Sequence, residues 1–290
     1  MGPKNKSQAL FLNKAKWITR ETKVVEKEKN DAKIKMEYEC NVTPSPIDTR
    51  DYDIRNFEKA LVLNPPSTFS LVKDLQGIRN QGRQGTCAAQ TAACIKEWQE
   101  KMDYRFDRHF SPQFVYNNRP NHERRGMFGR EVMSILRNVG IVEEKEYRYG
   151  KIEKKEDINK ELYEKAKDHK IKSYARVRTI NDVKKSLPIN GPLYISFPVF
   201  HHGVDMWKRQ YRDQKMRGGH AMAIVGYDET GFIIRNSWGE SWGDKGMCTY
   251  KYEDFGCHWE IWTTVDEDTD RVFEEDTLCS GCTSMFTWGK

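Results

Sequence analysis

The apolar pattern of this chain changes character near residue 190, and that change constrains the fold more than any other feature. Ahead of it, apolar residues recur at helical spacing. Cys87, Thr91, Cys94, Ile95, Trp98 and Met102 share one face of a predicted helix, and alanines fill much of the rest. Ser111-Pro112 supplies an N-cap and a proline at the first helical position, opening a helix over 113–118. Val132, Ile135, Leu136 and Val139 repeat at i, i+3, i+4, i+7, and Gly140 is the stop. Residues 155–170 are charged, with Ile158, Leu162 and Ala166 as a thin stripe. Beyond 190, the stretches Leu193–Phe197, His220–Tyr227, Gly231–Arg235, Met247–Tyr252 and Trp259–Val265 read as strands between turns. Helices followed by strands predict an α+β fold in two lobes, helical over about 65–175 and β-rich over about 176–265.

The ends differ from this body. Thr43-Pro44-Ser45-Pro46 breaks a Lys/Glu-rich opening stretch, so residues 1–47 read as a basic N-terminal segment ahead of a domain at 48–265. The net charge of +6 belongs to that opening: residues 1–35 hold ten Lys/Arg against four Asp/Glu, and the remainder is balanced. With no aromatic-basic motif beside it, nucleic acid is not an expected partner. Residues 266–290 begin acidic and end in Cys279-Ser-Gly-Cys282, which reads as a tail. No apolar run reaches eighteen residues, so no transmembrane helix is expected. The longest apolar run near the start, Ala9–Leu12, is too short for a signal peptide, which leads to the expectation of a cytoplasmic or particle-associated protein. Seven cysteines without dense spacing argue against a disulfide framework.

One cysteine is chemically poised. Cys87 opens its helix, where unpaired N–H groups and the positive end of the helix dipole favour thiolate over thiol. Cys94, one face along the same helix, has no polar setting and reads as core.

Three blocks then carry a resemblance. Asn80-Gln-Gly-Arg-Gln-Gly-Thr-Cys87, Gly218-Gly-His-Ala-Met-Ala-Ile-Val-Gly-Tyr227 and Asn236-Ser-Trp-Gly-Glu-Ser-Trp-Gly-Asp-Lys-Gly246 resemble, in order and spacing, the nucleophile loop, histidine strand and asparagine segment of the papain-like cysteine peptidases. His220 lies 133 residues after Cys87 and Asn236 lies 149 residues after it. The resemblance implies Cys87 as nucleophile, His220 as base, Asn236 as the residue that orients the imidazole, and Gln81 as oxyanion-hole donor. It implies a two-lobed papain-like fold, a thioester acyl-enzyme, protein or peptide substrates, and neither metal nor cofactor. The QGxxGTC form and Pro46–Tyr52 are similar to a subgroup found in bacteria and large DNA viruses.

Other residues follow from the same likeness. Trp238 matches the tryptophan that shields the histidine–asparagine bond, and Gly219 precedes the histidine. Gly126-Met127-Phe128-Gly129 sits where the family has its substrate-pairing glycine wall. His201-His202 resemble the adjacent histidines of an exopeptidase loop, but they follow the Gly191-Pro192 strand and are expected to be exposed. Family members carry N-terminal pro-segments, so residues 1 to about 50 are expected to act as an inhibitor in cis, making the protein a zymogen. An acyl transferase using the same three residues, or a catalytically idle homologue, are the alternatives.

Overall fold

A computed structural model of the chain describes residues 38–120, 122–123 and 125–265. Residues 1–37 and the 266–290 tail, with Cys279 and Cys282, lie outside the described residues. The fold is the α+β arrangement that the change of pattern predicts.

The helical side is built around α1 (Cys87–Tyr104), which packs on α2 (Pro112–Asn117) and α3 (Gly129–Asn138). α1 ends where Arg105 turns left-handed at φ 54°. The Ser111 side chain accepts the Phe114 N–H and starts α2, as its sequence predicts. A short helix α4 (Lys160–Ala166) buries Ala166 against Phe114, Val142 and Ile158.

The other side is one antiparallel sheet in the order β2-β7-β3-β4-β5-β6, from β2 (Ser173–Arg176), β3 (Leu193–Val199), β4 (Gly218–Tyr227), β5 (Gly231–Arg235), β6 (Met247–Lys251) and β7 (Glu260–Val265). A two-residue strand, β1 (Phe69–Ser70), pairs with β4. A further helix, α5 (Ile180–Asn190), packs against β7, β3 and β4. β3 and β4 are buried almost throughout, with β1 and β5 flanking β4 and α1 packed against it. The face of α1 that carries Cys87 therefore meets the strand that carries His220.

Residues 43–62 are stitched to this body. Buried Glu260 accepts the Ser45 hydroxyl at 3.1 Å and the Gly129 N–H at 3.2 Å, and pairs with Arg176 at 2.9 Å. Asp51 pairs with Arg130 at 2.6 Å and Arg176 at 3.2 Å. Ile54, Ala60 and Val62 enter the core. A chain that begins at Thr43 keeps these contacts but loses the buried side chains of Tyr38 and Val42, and is expected to unfold somewhat below the full chain while staying folded. One that begins at Pro65 loses two large apolar side chains from the core, at about 1.5–3 kcal/mol each. It also strands part of a buried charge cluster. Thermal unfolding is expected to fall by about 10 °C or more; equal melting temperatures for the two truncations would refute this account of the body.

Candidate active site

The N-terminus of α1 brings Cys87 to β4. The thiol is fully buried, and the backbone N–H groups of Ala221, Ala88 and Cys87 act to lower its pKa. Ala221 follows His220 directly, so the histidine strand reaches the sulfur.

The protonation of His220 follows from its neighbour. Asn236 Oδ1 accepts the Ser237 backbone N–H at 2.7 Å, which can only donate, so that atom is the amide oxygen. His220 Nε2 lies 2.7 Å from the same oxygen and must therefore carry the proton. Nδ1 is left as the basic nitrogen; it is buried and has no hydrogen-bond partner among the described residues. The Trp238 ring lies 4.4 Å from the imidazole, itself fully buried, and excludes water from the bond.

Gln81 is held from every side. Its N–H donates to Ser237 O at 2.8 Å and its carbonyl accepts the Tyr149 hydroxyl at 2.7 Å. Its Oε1 accepts the Ser237 hydroxyl at 2.8 Å, which fixes the amide orientation. Nε2 then points one N–H at Gln84 O (3.0 Å) and the other at Glu39 O (3.2 Å). A backbone carbonyl thus sits on the donor that the sequence singles out for an oxyanion.

That carbonyl belongs to a strand through the cleft. Tyr38 stacks on Trp238 at 5.1 Å and donates its hydroxyl to Trp238 O. Glu39 pairs with Arg125 at 3.0 Å. Asn41 bridges Gly219 in parallel, with Val42 N–H on Gly219 O at 3.0 Å and Gly219 N–H on Cys40 O at 3.3 Å. Two glycines make room: a Cβ on Gly126 would lie 1.7 Å from Asn41 O, and one on Gly219 would lie 2.2 Å from Val42 O. The Val42 side chain enters the apolar cluster of Cys87, Met127 and Ala221, with Trp259 packed against it. Met127 and Gly126 thus border the strand, whereas Phe128 is the N-cap of α3 and is not part of that cluster. Sequence reasoning missed Trp259; its place just before β7 gave no signal.

The adjacent histidines depart from expectation. Both are buried, at 2% and 3% exposure, not surface loop residues. His202 tilts against Trp238 at 5.3 Å, with Nε2 3.9 Å from Cys40 Sγ, and its carbonyl accepts the Trp242 indole N–H at 2.8 Å. Among the described residues the cysteines are free thiols, and no group of His, Cys, Asp or Glu is placed to hold a metal.

The chain has relatives among known proteins. The profile of the papain family cysteine proteases matches residues 66–264, and the chain belongs to that family. A peptidase C1-like protein of Acanthamoeba polyphaga mimivirus is 28% identical over 223 residues, covering 67% of this chain and 70% of the viral protein. Cathepsin K of Mus musculus is 29% identical over 186 residues, 58% of this chain and 54% of that protein. Xylellain, a cysteine protease from Xylella fastidiosa, superposes with a TM-score of 0.68 at 24% identity, over 78% of this chain and 96% of its own. Procathepsin L 3 of Tenebrio molitor superposes with a TM-score of 0.59 at 14% identity, covering 82% of this chain and 79% of its own.

Burial opposes charge on both groups. Desolvation pushes the Cys87 thiol up to about 11 and the His220 imidazole down to about 3. A raised thiol pKa means thiol at neutral pH; a lowered imidazole pKa means neutral imidazole there. Exposure to water removes both penalties and allows the thiolate–imidazolium pair. Alkylation of Cys87 by iodoacetamide in the full chain should therefore rise only toward alkaline pH. In a chain that begins at Thr43 it should be at least about a hundredfold faster at pH 7. Matching pH–rate profiles would show that the strand does not govern the thiol.

Proposed function

We propose that this protein is a cysteine peptidase held in a self-blocked form by its own residues 38–42. The observation that carries the reading is the Glu39 carbonyl on the Gln81 side-chain amide, beside a helix-terminal thiol and an imidazole whose free nitrogen is the basic one. A substrate carbonyl in that place has a donor ready for the negative charge that develops when sulfur attacks.

The steps follow from the groups present. With the cleft open, His220 Nδ1 takes the Cys87 proton, and the thiolate attacks the scissile carbonyl. The carbon–sulfur bond forms, and the oxyanion is met by Gln81 Nε2. The imidazolium then returns its proton to the leaving amine, the C–N bond breaks and a thioester remains. Water, deprotonated by His220, cleaves the thioester and restores the thiol. Asn236 keeps Nε2 protonated throughout and stabilises the imidazolium, while Trp238 keeps water off that bond.

The blocked state is supported by position and chemistry. The strand fills the recess beside Cys87 with Val42 and satisfies Gln81 with Glu39. It is tethered, which gives it a high effective concentration. One of the similar structures, the Tenebrio procathepsin, is a proenzyme by name. No helix among the described residues is long and apolar enough to cross a membrane.

The test is hydrolysis of a peptide library by the full chain and by a chain that begins at Thr43. The shorter chain should cleave faster, and Cys87→Ala should abolish its activity and its labelling by an epoxysuccinyl inhibitor. Gln81→Ala should lower the kcat of the shorter chain by about 10²–10³. Turnover that survives Cys87→Ala would reject the assignment, and amine-transfer products without hydrolysis would make the protein an acyl transferase.

A further inference from the structure

A second recess, about 590 Å³, opens on the helical side between the loop that follows α1 and the loop that follows α3. Its volume lies in the range of small-molecule sites. Three of its walls are acidic, Asp107, Glu143 and Glu144, and four are cationic or can become so, Arg108, His109, Lys145 and Arg148.

The acids are already matched. Glu143 pairs with Lys145 at 2.7 Å, Glu144 with Arg79 at 2.6 Å, and Asp107 takes the Gln76 amide and lies 3.8 Å from Lys101. The arginines are not. Arg148 has no acidic partner among the described residues, and the Arg108 guanidinium has only the Phe106 ring, 5.5 Å away. His109 is raised above its usual range by the Glu97 carboxylate, so it holds positive charge to higher pH. The three acids and the three permanent cations of the wall balance, and the charges left without an acidic partner are the two guanidinium forks, the geometry that takes phosphate or carboxylate in bidentate fashion.

The wall also touches the oxyanion loop. Tyr149, on the rim, donates its hydroxyl to the Gln81 carbonyl at 2.7 Å and lies 2.7 Å from the Thr86 hydroxyl. Glu144 holds Arg79, two residues before Gln81. A ligand that draws in the loop at 143–149 moves the two groups that fix residues 79–86.

We propose that this recess binds a small organic polyanion bearing phosphate or carboxylate groups, and that its occupancy is coupled to the loop that carries Gln81. Binding is a property of the folded chain and does not depend on peptidase activity, so it can fail or succeed apart from the function proposed above.

The experiment is calorimetric titration of the full chain with pyrophosphate and with citrate, at constant ionic strength. Saturable binding to one site is expected, weakened at least tenfold in the Arg108→Gln/Arg148→Gln double variant, whose melting temperature without ligand should match the parent. Tighter pyrophosphate identifies a phosphate ester as the ligand class; tighter citrate identifies a polycarboxylate. Hydrogen exchange of the 79–86 amides should change at saturating ligand in the parent and not in the variant. Equal affinity in the double variant, or an effect that sodium chloride reproduces, overturns the site. Binding that leaves exchange at 79–86 unchanged overturns the coupling.

Discussion

The helix that presents Cys87 is buried on every side from Cys87 to Glu100, and the rest of the architecture answers to that burial. Lys96, Glu97 and Glu100 have no route to water, so each needs a partner inside the protein. Lys96 and Glu100 pair with each other at 2.8 Å, and His169 lies 2.9 Å from Glu100. Glu97 takes Arg79 at 2.5 Å and the Phe110 N–H at 3.0 Å. Losing one partner of such a buried pair costs about 3–5 kcal/mol, because the other charge is left uncompensated. Arg79 is thereby locked, and its carbonyl accepts the Gly239 N–H at 2.9 Å. The loop that leads from Arg79 to Gln81 is strung between the centre of α1 and the segment after Asn236. The device that makes the helix tolerable as a buried element also positions the loop that carries Gln81 at the end of the helix that carries Cys87.

Much of this was legible in the sequence, and the losses have physical causes. α1, the Ser111 cap of α2 and strands β3 to β7 announce themselves because each buries a face against something, and periodicity records that. The blocks around Cys87, His220 and Gln81 were legible because their local sequences are distinctive. β2 was not: four residues of mixed burial at a sheet edge carry no alternation, and only pairing with β7 makes them a strand. α5 was hidden by Pro188, which sits inside the helix near its C-terminal end. The two histidines looked like a polar loop. His202 packs with Trp238 and Trp242, about forty residues away in sequence, which no local pattern reports.

The strand in the cleft shows the same division. Residues 38–42 have no periodicity that marks them as part of the body, yet Gly126 and Gly219 are shaped to their backbone. A glycine in sequence says only that a side chain was not wanted; the structure says that a carbonyl was. The same clearance suits any extended backbone laid against those two positions.

The contacts beyond the strand differ from those of the strand itself. Ser45 and Asp51 are held by Glu260, Arg130 and Arg176, a cluster that lies at the junction of α3, β2 and β7. The strand itself is held by a few backbone hydrogen bonds, the bonds of the Tyr38 hydroxyl to Trp238 O and of the Gln81 amide to Glu39 O, one partly exposed ion pair with Arg125 and the burial of Tyr38 and Val42. The weaker part is therefore the one over the catalytic groups, and the stronger part is the one that completes the body. Local opening takes the path of least buried contact. On the self-blocked reading proposed above, the strand would leave while residues 45–62 stay in place, so that uncovering Cys87 would not disturb the Glu260 cluster beneath α3. A fold in which the cover and the clamp were the same segment could not expose its thiol without loosening the lobe that presents it.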